Sequence, residues 1–555
     1  MSTGRSGGSR GSKAVPLLAA LAVSASLTLG PAASPPAARD PGVLLRGKVV
    51  TMNDAGDVWP DAGLWIRSGR IEAVVRAGSP LPAGARSARV VESGGVIYPG
   101  LIDLHNHPAH AAYPLMPVGK AYEDRYEWRF YDDAYDRRIT YSEFVLASPD
   151  YYDLAAELGR YGEYKALAGG TTSLQGADDG LPSSARGCLV RNVETADVGP
   201  RRAVSRVDLG RDAREWADLA RAQKDGVLVL HLAEGTGERM ADEYRAVERS
   251  GLVGPRLVAV HGVGLTADQL GDMAARGAGL VWSPLSNFLL YGTTTDVAAA
   301  KAAGLDVSLA PDWAPSGSKS VLGELKVADL VNKHRLNGLF TDRELAQAVT
   351  RNPARALGWD RRAGRLAAGY VPDLVVLDDR NADPYRNLIE ATEENVRLVS
   401  VAGDMLYGDE PVMARARATP DVEPAARFPG DRVKVMAGDC PGTDLPPMPL
   451  TETRDRLQRA LAMDPRFLLD RVGPKPESVR RIRAELARCP GGEPPGELTP
   501  PDIQRVLSCR LGLPFEETRL SALTTYEDPE WMNRLVANPN LPAYLKALPD
   551  YYRRQ

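Results

Sequence analysis

The pair His105 and His107 is the feature of this sequence that most restricts its fold. It directly follows Gly95–Leu104, an apolar run typical of a buried strand. Side chains two positions apart on a strand point to the same face, so both imidazoles can converge on one point just beyond the strand's end. A metal site requires that arrangement, whereas a hydrophobic core does not.

Two further histidines, His231 and His261, also end apolar runs, Val227–Leu230 and Leu257–Val260. The whole chain has only 6 histidines. Scattered histidines satisfied inside a core would not be expected to collect at strand ends. The pattern therefore predicts a metal site.

The bulk composition limits the class of protein. A chain of 555 residues is too long for one core and predicts two or three domains. Its 44% hydrophobic and 25% charged residues fit a soluble globular protein. A net charge of -4 gives no broad electrostatic reason to bind nucleic acid or membrane, so we expect a small-molecule partner. The oligomeric state stays open.

Residues 1–40 are typical of a secretory signal and linker. Arg5, Arg10 and Lys13 precede an apolar stretch, Val15–Leu29, which small residues and prolines follow. The apolar centre is too short for a comfortable membrane span. We expect an exported protein, and the alternative is a disordered extension with an apolar patch.

The 4 cysteines have no zinc-ribbon spacing. An exported chain permits disulfides, and four cysteines allow three full pairings. The local pair Cys489 and Cys509 is the favoured one. Cys188 can instead be a buried small apolar residue.

The middle of the chain alternates apolar strand candidates with helix-like stretches, which indicates βα units around a parallel sheet. The candidates with polar residues at their C-terminal ends are Ile97–Leu104, Thr171–Leu174, Ala203–Val207, Val227–Leu230, Leu257–Val260, Leu280–Trp282 and Val307–Ala310. In a (β/α)8 barrel the active site lies at that end of the strands.

The expected fold is therefore α/β: a (β/α)8 TIM-like barrel over 97–362. Short strand candidates lie on both sides of it: Val43–Val50, Gly63–Ile71, Asp373–Leu377 and Val396–Gly403. They predict a small discontinuous β-sandwich domain made of 41–96 and 363–416. Residues 417–555 are proline-rich with helix-like segments at 451–463 and 476–488, and predict a mainly helical C-terminal extension.

Further polar residues follow the later strand candidates. Glu234 lies three residues after His231, the segment 282–287 follows another strand, and Asp312 follows the last. Three imidazoles and a carboxylate that leave one position open suit catalytic zinc, with iron(II) as the alternative. Such a metal acidifies its bound water, so that a hydroxide nucleophile forms near neutral pH.

Together these motifs resemble the amidohydrolase superfamily, in its mononuclear cytosine deaminase-like and chlorohydrolase-like branch. The resemblance covers roughly residues 43–407, and Asn352–Gly358 and Gly369–Val375 match the family's exit from the barrel. It implies that one divalent metal is bound, and that the ligands are His105, His107, His231 and Asp312. It further implies that Glu234 moves the proton from water to the leaving nitrogen and that His261 polarises the water and the developing oxyanion, with Asp312 also serving catalysis.

Two residues bear on how closely the family pattern applies. Binuclear relatives usually carry a carboxylated lysine at the end of strand four, but the only lysine between Thr172 and His231 is Lys224, which lies seven residues before His231 and so in the wrong place for that strand's end. This predicts a mononuclear site. Pro311 precedes Asp312 where the family usually has threonine, and this removes a backbone donor and a hydroxyl.

Several residues also have structural interpretations. Glu234 can be a surface charge opening a helix and Asp312 a turn residue. Ser286 and Asn287 fit a turn as well as a substrate contact. His110 is expected in an exposed loop, and His334 on a helix surface.

The segment 108–141 is rich in aromatic residues, about fourfold above the chain as a whole. Its members are Tyr113, Tyr122, Tyr126, Trp128, Phe130, Tyr131, Tyr135 and Tyr141. With Trp313 they favour a planar or apolar substrate, unless the segment is buried against the extension. Arg125 and Arg129 can clamp an anion or pair with the acids beside them, Glu123, Asp124 and Glu127.

The sequence thus predicts a metal-dependent hydrolase that cleaves a non-peptide carbon–nitrogen bond by hydroxide attack. Deamination of a nitrogen heterocycle is one form, and amide opening another. The alternatives are removal of another leaving group from a similar ring, hydrolysis of an amino-acid amide, or a non-catalytic barrel used as a binding protein. No organic cofactor is expected.

Overall fold

A computed structural model describes residues 41–132, 135–176, 186–417, 421–440, 447–512 and 519–553. The predicted signal segment lies outside them. The described strands, β1 to β17 in chain order, are Val43–Val50, Val58–Arg67, Arg70–Arg76, Arg89–Pro99, Leu101–Asp103, Thr171–Leu174, Arg191–Asn192, Ala203–Arg206, Val227–Leu232, Leu257–His261, Gly279–Trp282, Asp306–Leu309, Leu374–Leu377, Val396–Val401, Asp404–Asp409, Val422–Phe428 and Arg432–Ala437.

The two outer strand sets belong to one nine-stranded sheet. Its order is β16-β17-β15-β14-β13-β4-β1-β2-β3. Strand β13 joins the sets, because Val376 pairs with Ile97 of β4 on one side and with Leu398 of β14 on the other. Hydrogen bonds therefore run through all nine strands without a break, where the sequence suggested a two-sheet sandwich.

The sheet extends past the predicted boundary at residue 416. Strands β16 and β17 lie in the segment expected to be mainly helical, and Tyr407 of β15 pairs with Met436 of β17. The run predicted as one strand over 63–71 is also divided. Ser68 and Gly69, both with positive φ, form the turn between β2 and β3.

The other eight strands form two parallel sheets, β5-β6-β7 and β12-β11-β10-β9-β8. This confirms an α/β protein with parallel sheets. Two backbone hydrogen bonds link the sheets' edges: Ala203 N donates to Val193 O at 3.1 Å, and Asp312 N donates to His105 O at 3.0 Å. Strand β9 is buried along its whole length, as expected for a parallel strand covered on both faces.

The strand predicted over 97–104 is two strands in two different sheets. Strand β4 ends at Pro99, and β5 begins at Leu101. Gly100 permits this change of sheet, since a Cβ there would lie 2.1 Å from Thr172 Oγ1. The chain passes too close to β6 for any side chain at this point.

Helices cover the parallel sheets and form most of the C-terminal region. The described α-helices, α1 to α19 in chain order, are Arg125–Tyr131, Ser142–Ala147, Ala155–Ala168, Ala213–Asp225, Arg239–Arg249, Ala267–Ala275, Pro284–Tyr291, Val297–Ala302, Val321–His334, Asp342–Ala348, Arg351–Ala356, Pro384–Glu390, Glu410–Ala416, Leu450–Leu461, Pro465–Val472, Pro476–Leu486, Pro500–Leu511, Pro529–Ala537 and Asp550–Arg553. A π-helical turn, Asp136–Tyr141, precedes α2. Among the described residues, no helix is both long and apolar enough to cross a membrane.

Two disulfides lie in the described chain. Cys489 pairs with Cys509, as predicted. Cys188 pairs with Cys440, 252 residues away, so the interpretation of Cys188 as an unpaired apolar residue is wrong. This second bond fastens the segment before β7 to the segment after β17, which no local spacing reveals.

Candidate metal centre and active site

The four predicted metal ligands come together at the carboxyl ends of the parallel strands. His105 and His107 follow β5, His231 lies in β9 and Asp312 follows β12. The hydrogen bond from Asp312 N to His105 O fixes the last of these strand ends beside the first. Residues that are remote in the sequence thus meet at one point.

The donor atoms face one another at short distances. Asp312 Oδ1 lies 3.1 Å from His105 Nε2 and 3.8 Å from His107 Nε2. The Nε2 atoms of His105 and His231 are 3.1 Å apart. Two overlapping sets, one of His105, His231 and His261 and one of His105, His107 and Asp312, each have donor atoms within 4.8 Å of one another. Side chains drawn from four separate strand ends therefore present nitrogen and oxygen donors to a common centre.

Burial and neighbouring groups together set the protonation states that a metal needs. Burial lowers the pKa of His105 to about 4 and that of His231 well below its usual range. Burial opposes the ionisation of Asp312, but the imidazoles of His105, His261 and His107 outweigh it and hold the Asp312 pKa below its usual range. Neutral imidazoles and an ionised carboxylate are metal ligands, so the donor set fits a divalent cation.

A second layer of polar groups orients these rings. His105 Nδ1 lies 2.7 Å from Ser283 Oγ, and His261 Nδ1 lies 2.9 Å from Asn287 Oδ1. Ser286 Oγ donates to Asp312 Oδ2 at 2.6 Å. Because the Nδ1 atoms are engaged, the Nε2 atoms face the centre.

Ser286 and Asn287 are thus not substrate contacts. Both are 0% exposed on α7 and hold Asp312 and His261 in place. The turn expected after β11 is a helix, which begins at Pro284 and points both side chains inward.

The backbone is strained at three positions of the centre. Ala233, His261 and Asp312 have φ values of 51°, 66° and 66°. Non-glycine residues rarely adopt this left-handed conformation, and such outliers are frequent at functional sites. Glu243 stabilises the left-handed conformation at Ala233, since its carboxylate accepts a hydrogen bond from Ala233 N at 2.8 Å.

Glu234 and His261 lie beside the proposed ligands. Glu234 Oε2 is 3.6 Å from His261 Nε2, which in turn is 4.0 Å from Asp312 Oδ2. Both side chains are buried and line the cavity over the centre. Glu234 is therefore not a surface charge.

The cavity has a volume of about 510 Å³ and one aromatic wall. Trp128, Phe130 and Tyr135 of the aromatic segment line it together with Trp313. The rings of Trp128 and Trp313 lie 5.6 Å apart. Part of the predicted aromatic cover therefore faces the centre, whereas Tyr113 is buried and Tyr141 is 43% exposed.

The two arginines of this segment have structural partners. Arg125 is 0% exposed and pairs with Glu243 at 2.8 Å. Arg129 lines the cavity but pairs with Asp208 at 2.8 Å. Neither partner is one of the neighbouring acids that the sequence suggested.

Of the two remaining histidines, one lies where it was expected and the other does not. His110 was expected in an exposed loop, but it is buried, lines the cavity and lies 3.1 Å from Glu143. His334 lies on the surface of α9 as expected, where its ring stacks on Tyr544. Lys224 is exposed on α4, away from the donor atoms.

Among the side chains that contact the site residues, sequence reasoning missed Ser283 and Tyr291. Tyr291 Oη donates to Glu234 Oε1 at 2.7 Å. Its position one helical turn after Asn287 is the signal that could have identified it, because residues four apart share a helix face.

Comparisons with known proteins point to one family. The model of the amidohydrolase family matches residues 213–406. The chain is 27% identical over 392 residues to a 5-methylthioadenosine/S-adenosylhomocysteine deaminase of Symbiobacterium thermophilum, an alignment that covers 60% of this chain and 85% of the relative.

Solved structures show the same fold at low identity. An adenosine deaminase from Xanthomonas campestris with bound zinc is 21% identical, with a TM-score of 0.53 over 66% of this chain and 92% of that one. The atrazine chlorohydrolase of Arthrobacter aurescens, complexed with zinc, is 20% identical, with a TM-score of 0.54 over 66% and 95%.

Proposed function

We propose that the chain is a member of the amidohydrolase superfamily, a metal-dependent hydrolase that deaminates a nitrogen heterocycle. The observation that carries the proposal is the convergence of His105, His107, His231 and Asp312 beneath a cavity that also holds Glu234. Binding sites alone do not need a buried acid beside the metal ligands. A hydrolase that must move a proton does.

The two parallel sheets are proposed to be one (β/α)8 barrel. Together they contribute eight parallel strands, and backbone hydrogen bonds link both pairs of facing edges. The centre then lies at the carboxyl ends of the strands, where barrel enzymes carry their active sites.

One divalent metal, zinc with iron(II) as the alternative, is the proposed cofactor. The residues that would hold it are His105, His107, His231 and Asp312. A nitrogen-rich set with one carboxylate suits either ion. Lys224, the only lysine between Thr172 and His231, is exposed on α4, which supports a single metal.

The residues around the ligands have distinct proposed roles. The bound metal would activate water at neutral pH. Glu234 is placed to take a proton from water and deliver it to the departing nitrogen, since its Oε2 faces the centre beside His261. Asn287 fixes His261 Nδ1, so His261 Nε2 is directed at the oxygen that gains charge.

The aromatic wall favours a planar substrate. Trp128, Tyr135 and Trp313 offer stacking faces within the cavity of about 510 Å³. The name of the Symbiobacterium relative makes aminated purine nucleosides the first compounds to test.

Export is also proposed. Two disulfides in the described chain support it, because cytosolic proteins rarely keep such bonds. Cell fractionation of the native host would find the protein outside the cytosol, and a purely cytosolic distribution would contradict export.

The test is ammonia release by the zinc-loaded protein across aminated purines, purine nucleosides, aminated pyrimidines and amino-acid amides, with chlorinated triazines assayed for chloride. We expect ammonia from at least one aminated ring. Glu234→Gln should keep its metal and lose activity about a hundredfold or more. Chloride without ammonia would indicate the alternative leaving group, and a metal-loaded protein inert on all classes would contradict the proposal.

A further inference from the structure

We propose that Tyr291 is a positioning residue for Glu234, and that Trp128 in turn positions Tyr291. The inference rests on the proposed function, in which Glu234 moves the proton. It assigns a role to a hydroxyl and an indole that neither the metal site nor the family motifs require.

The hydrogen bonds from Trp128 to Tyr291 and from Tyr291 to Glu234 have a fixed donor-to-acceptor direction. Tyr291 Oη donates to Glu234 Oε1 at 2.7 Å and accepts from Trp128 Nε1 at 3.0 Å. An indole N–H can only donate, so the hydroxyl must direct its own proton to the carboxylate. Tyr291 is 4% exposed, and burial and the neighbouring Glu234 charge raise its pKa well above the usual range, so it stays a donor.

This hydrogen bond distinguishes the two oxygens of Glu234. Oε1 is held by Tyr291, and Oε2 lies 3.6 Å from His261 Nε2. The terminal torsion of a glutamate is broad, so an unanchored carboxylate would rotate. Tyr291 therefore directs Oε2 towards the reacting atoms as the oxygen that carries the proton.

The same segment that supplies Trp128 also holds the main chain of Glu234. Arg125 N donates to Glu234 O at 3.1 Å, and Thr236 N donates to Glu123 O at 2.7 Å. Backbone and side chain of the proposed acid are thus both fixed to residues 123–128. Positioning of this kind is needed because small displacements of a reacting group cost large factors in rate.

Trp128 also lies where a bound substrate would contact it. Its ring lines the cavity and lies 5.1 Å from Tyr135 and 5.6 Å from Trp313. A substrate stacked in the cavity would press on the ring whose N–H holds Tyr291. Cavity occupancy and the orientation of Glu234 are therefore connected through two hydrogen bonds.

The kinetic test is Tyr291→Phe, which deletes the hydroxyl and keeps the ring. We expect kcat on the best substrate of the ammonia panel to fall about ten- to a hundredfold, with KM and metal content within about twofold of the parent. The control is Tyr407→Phe, because Tyr407 is also buried and its hydroxyl has no hydrogen-bond partner among the described residues. It should leave kcat unchanged. An unchanged kcat in Tyr291→Phe, or a kcat loss that follows loss of metal, would overturn the proposal.

A second measurement does not depend on activity. Urea unfolding of the parent, Tyr291→Phe, Glu234→Ala and the double variant, all metal-free, gives the coupling between the two side chains. We expect the phenylalanine to raise the unfolding equilibrium constant at least about threefold with Glu234 present and not with alanine at 234. Additive effects would overturn the inference even for an active enzyme, and coupling in an inert protein would mean that only the proposed function has failed.

Discussion

Two largely buried polar clusters of this protein differ in whether their polar groups have partners within the protein. The site cluster consists of His105, His107, His231, His261 and Asp312, and the interface cluster of Lys165, Lys319, Arg519, Ser521 and Asp528; all are buried except His107 and Arg519, which are partly exposed. The interface cluster joins the C-terminal region to the loop after β12 and to α3. Burial lowers the pKa of both its lysines, as it does for His105 and His231.

In the interface cluster each charge meets a partner. Lys319 Nζ lies 2.8 Å from Asp528 Oδ2 and donates to Ser521 Oγ at 2.6 Å, and Lys165 Nζ donates to Ala111 O at 2.6 Å. In the site cluster, His105 Nε2 and His231 Nε2 face each other across 3.1 Å, and His107, His231, His261 and Asp312 line a cavity. Burial of charge alone is therefore no sign of function. The sign of function is the convergence of several potential metal-ligating atoms on one point beside a cavity.

The strongest test of that contrast is His231→Ala. We expect metal content to fall from about one ion per chain to near zero and activity to fall at least about a thousandfold, because the centre loses a ligand. Elemental analysis and the ammonia assay measure both. The control His334→Ala removes an exposed histidine of α9 and should change neither. Retention of metal by His231→Ala would remove the distinction between the clusters.

The next largest effect belongs to the interface cluster. Asp528→Asn keeps a helix-capping side chain but leaves Lys319 buried without its anion. We expect a loss of about 3 kcal/mol in the free energy of unfolding, with metal content unchanged. Urea denaturation measures it. The control is Asp550→Asn, since Asp550 pairs with Arg553 at the surface and should cost less than about 1 kcal/mol. Equal losses would show that the buried pair contributes nothing special.

Much of the fold was predictable because buried parallel strands are apolar runs with a polar end. Six of the seven candidate strands agree with β6 and β8 to β12: five of them match within one residue at each end, and β9 runs two residues past its predicted end at Leu230. The seventh contains β5. Strand β7 was missed, since Arg191–Asn192 is too short and too polar to show a pattern. The change of sheet at Gly100 was missed because both strands lie in one continuous apolar run.

The site was predictable where chemistry is carried by rare residue types at strand ends. Histidines and acids stand out, whereas Ser283 and Tyr291 are ordinary residues whose contacts exist only in three dimensions. The disulfides divide in the same way. Cys489 and Cys509 are 20 residues apart and were paired correctly, but Cys188 and Cys440 are joined only by the tertiary fold.

A smaller effect separates the ligands from the residues that hold them. Ser286→Ala removes the hydroxyl that donates to Asp312 Oδ2. We expect metal affinity about tenfold weaker, measured by competition with a chelator, and little change in stability. Ser478→Ala, the same change at a buried serine of α16, is the control and should leave affinity unchanged. An equal loss in both variants would point to general loosening rather than to support of Asp312.

The last prediction concerns the pH dependence of stability and Glu324, a buried acid that contacts both clusters' neighbours. Its carboxylate accepts from Leu285 N at 2.9 Å, on the helix that carries Ser286, and from Ser318 Oγ, next to Lys319. Burial raises the pKa of Glu324 from 4.5 to about 8. Between these values the folded protein keeps a proton that the unfolded chain releases. The free energy of unfolding should therefore fall as pH rises through this window, by up to about 1.4 kcal/mol per pH unit.

Glu324→Gln removes that dependence while keeping an acceptor for Leu285 N. Urea unfolding between pH 5 and 8 should give a flatter slope for this variant than for the parent. Glu477→Gln changes an acid that is 89% exposed and should leave the slope as it is. If Glu324→Gln kept the parent's slope, Glu324 would be ionised in the folded protein and paired with a cation, as Asp528 is paired with Lys319. A flatter slope would place Glu324 in a third class, in which burial is tolerated because the group is neutral.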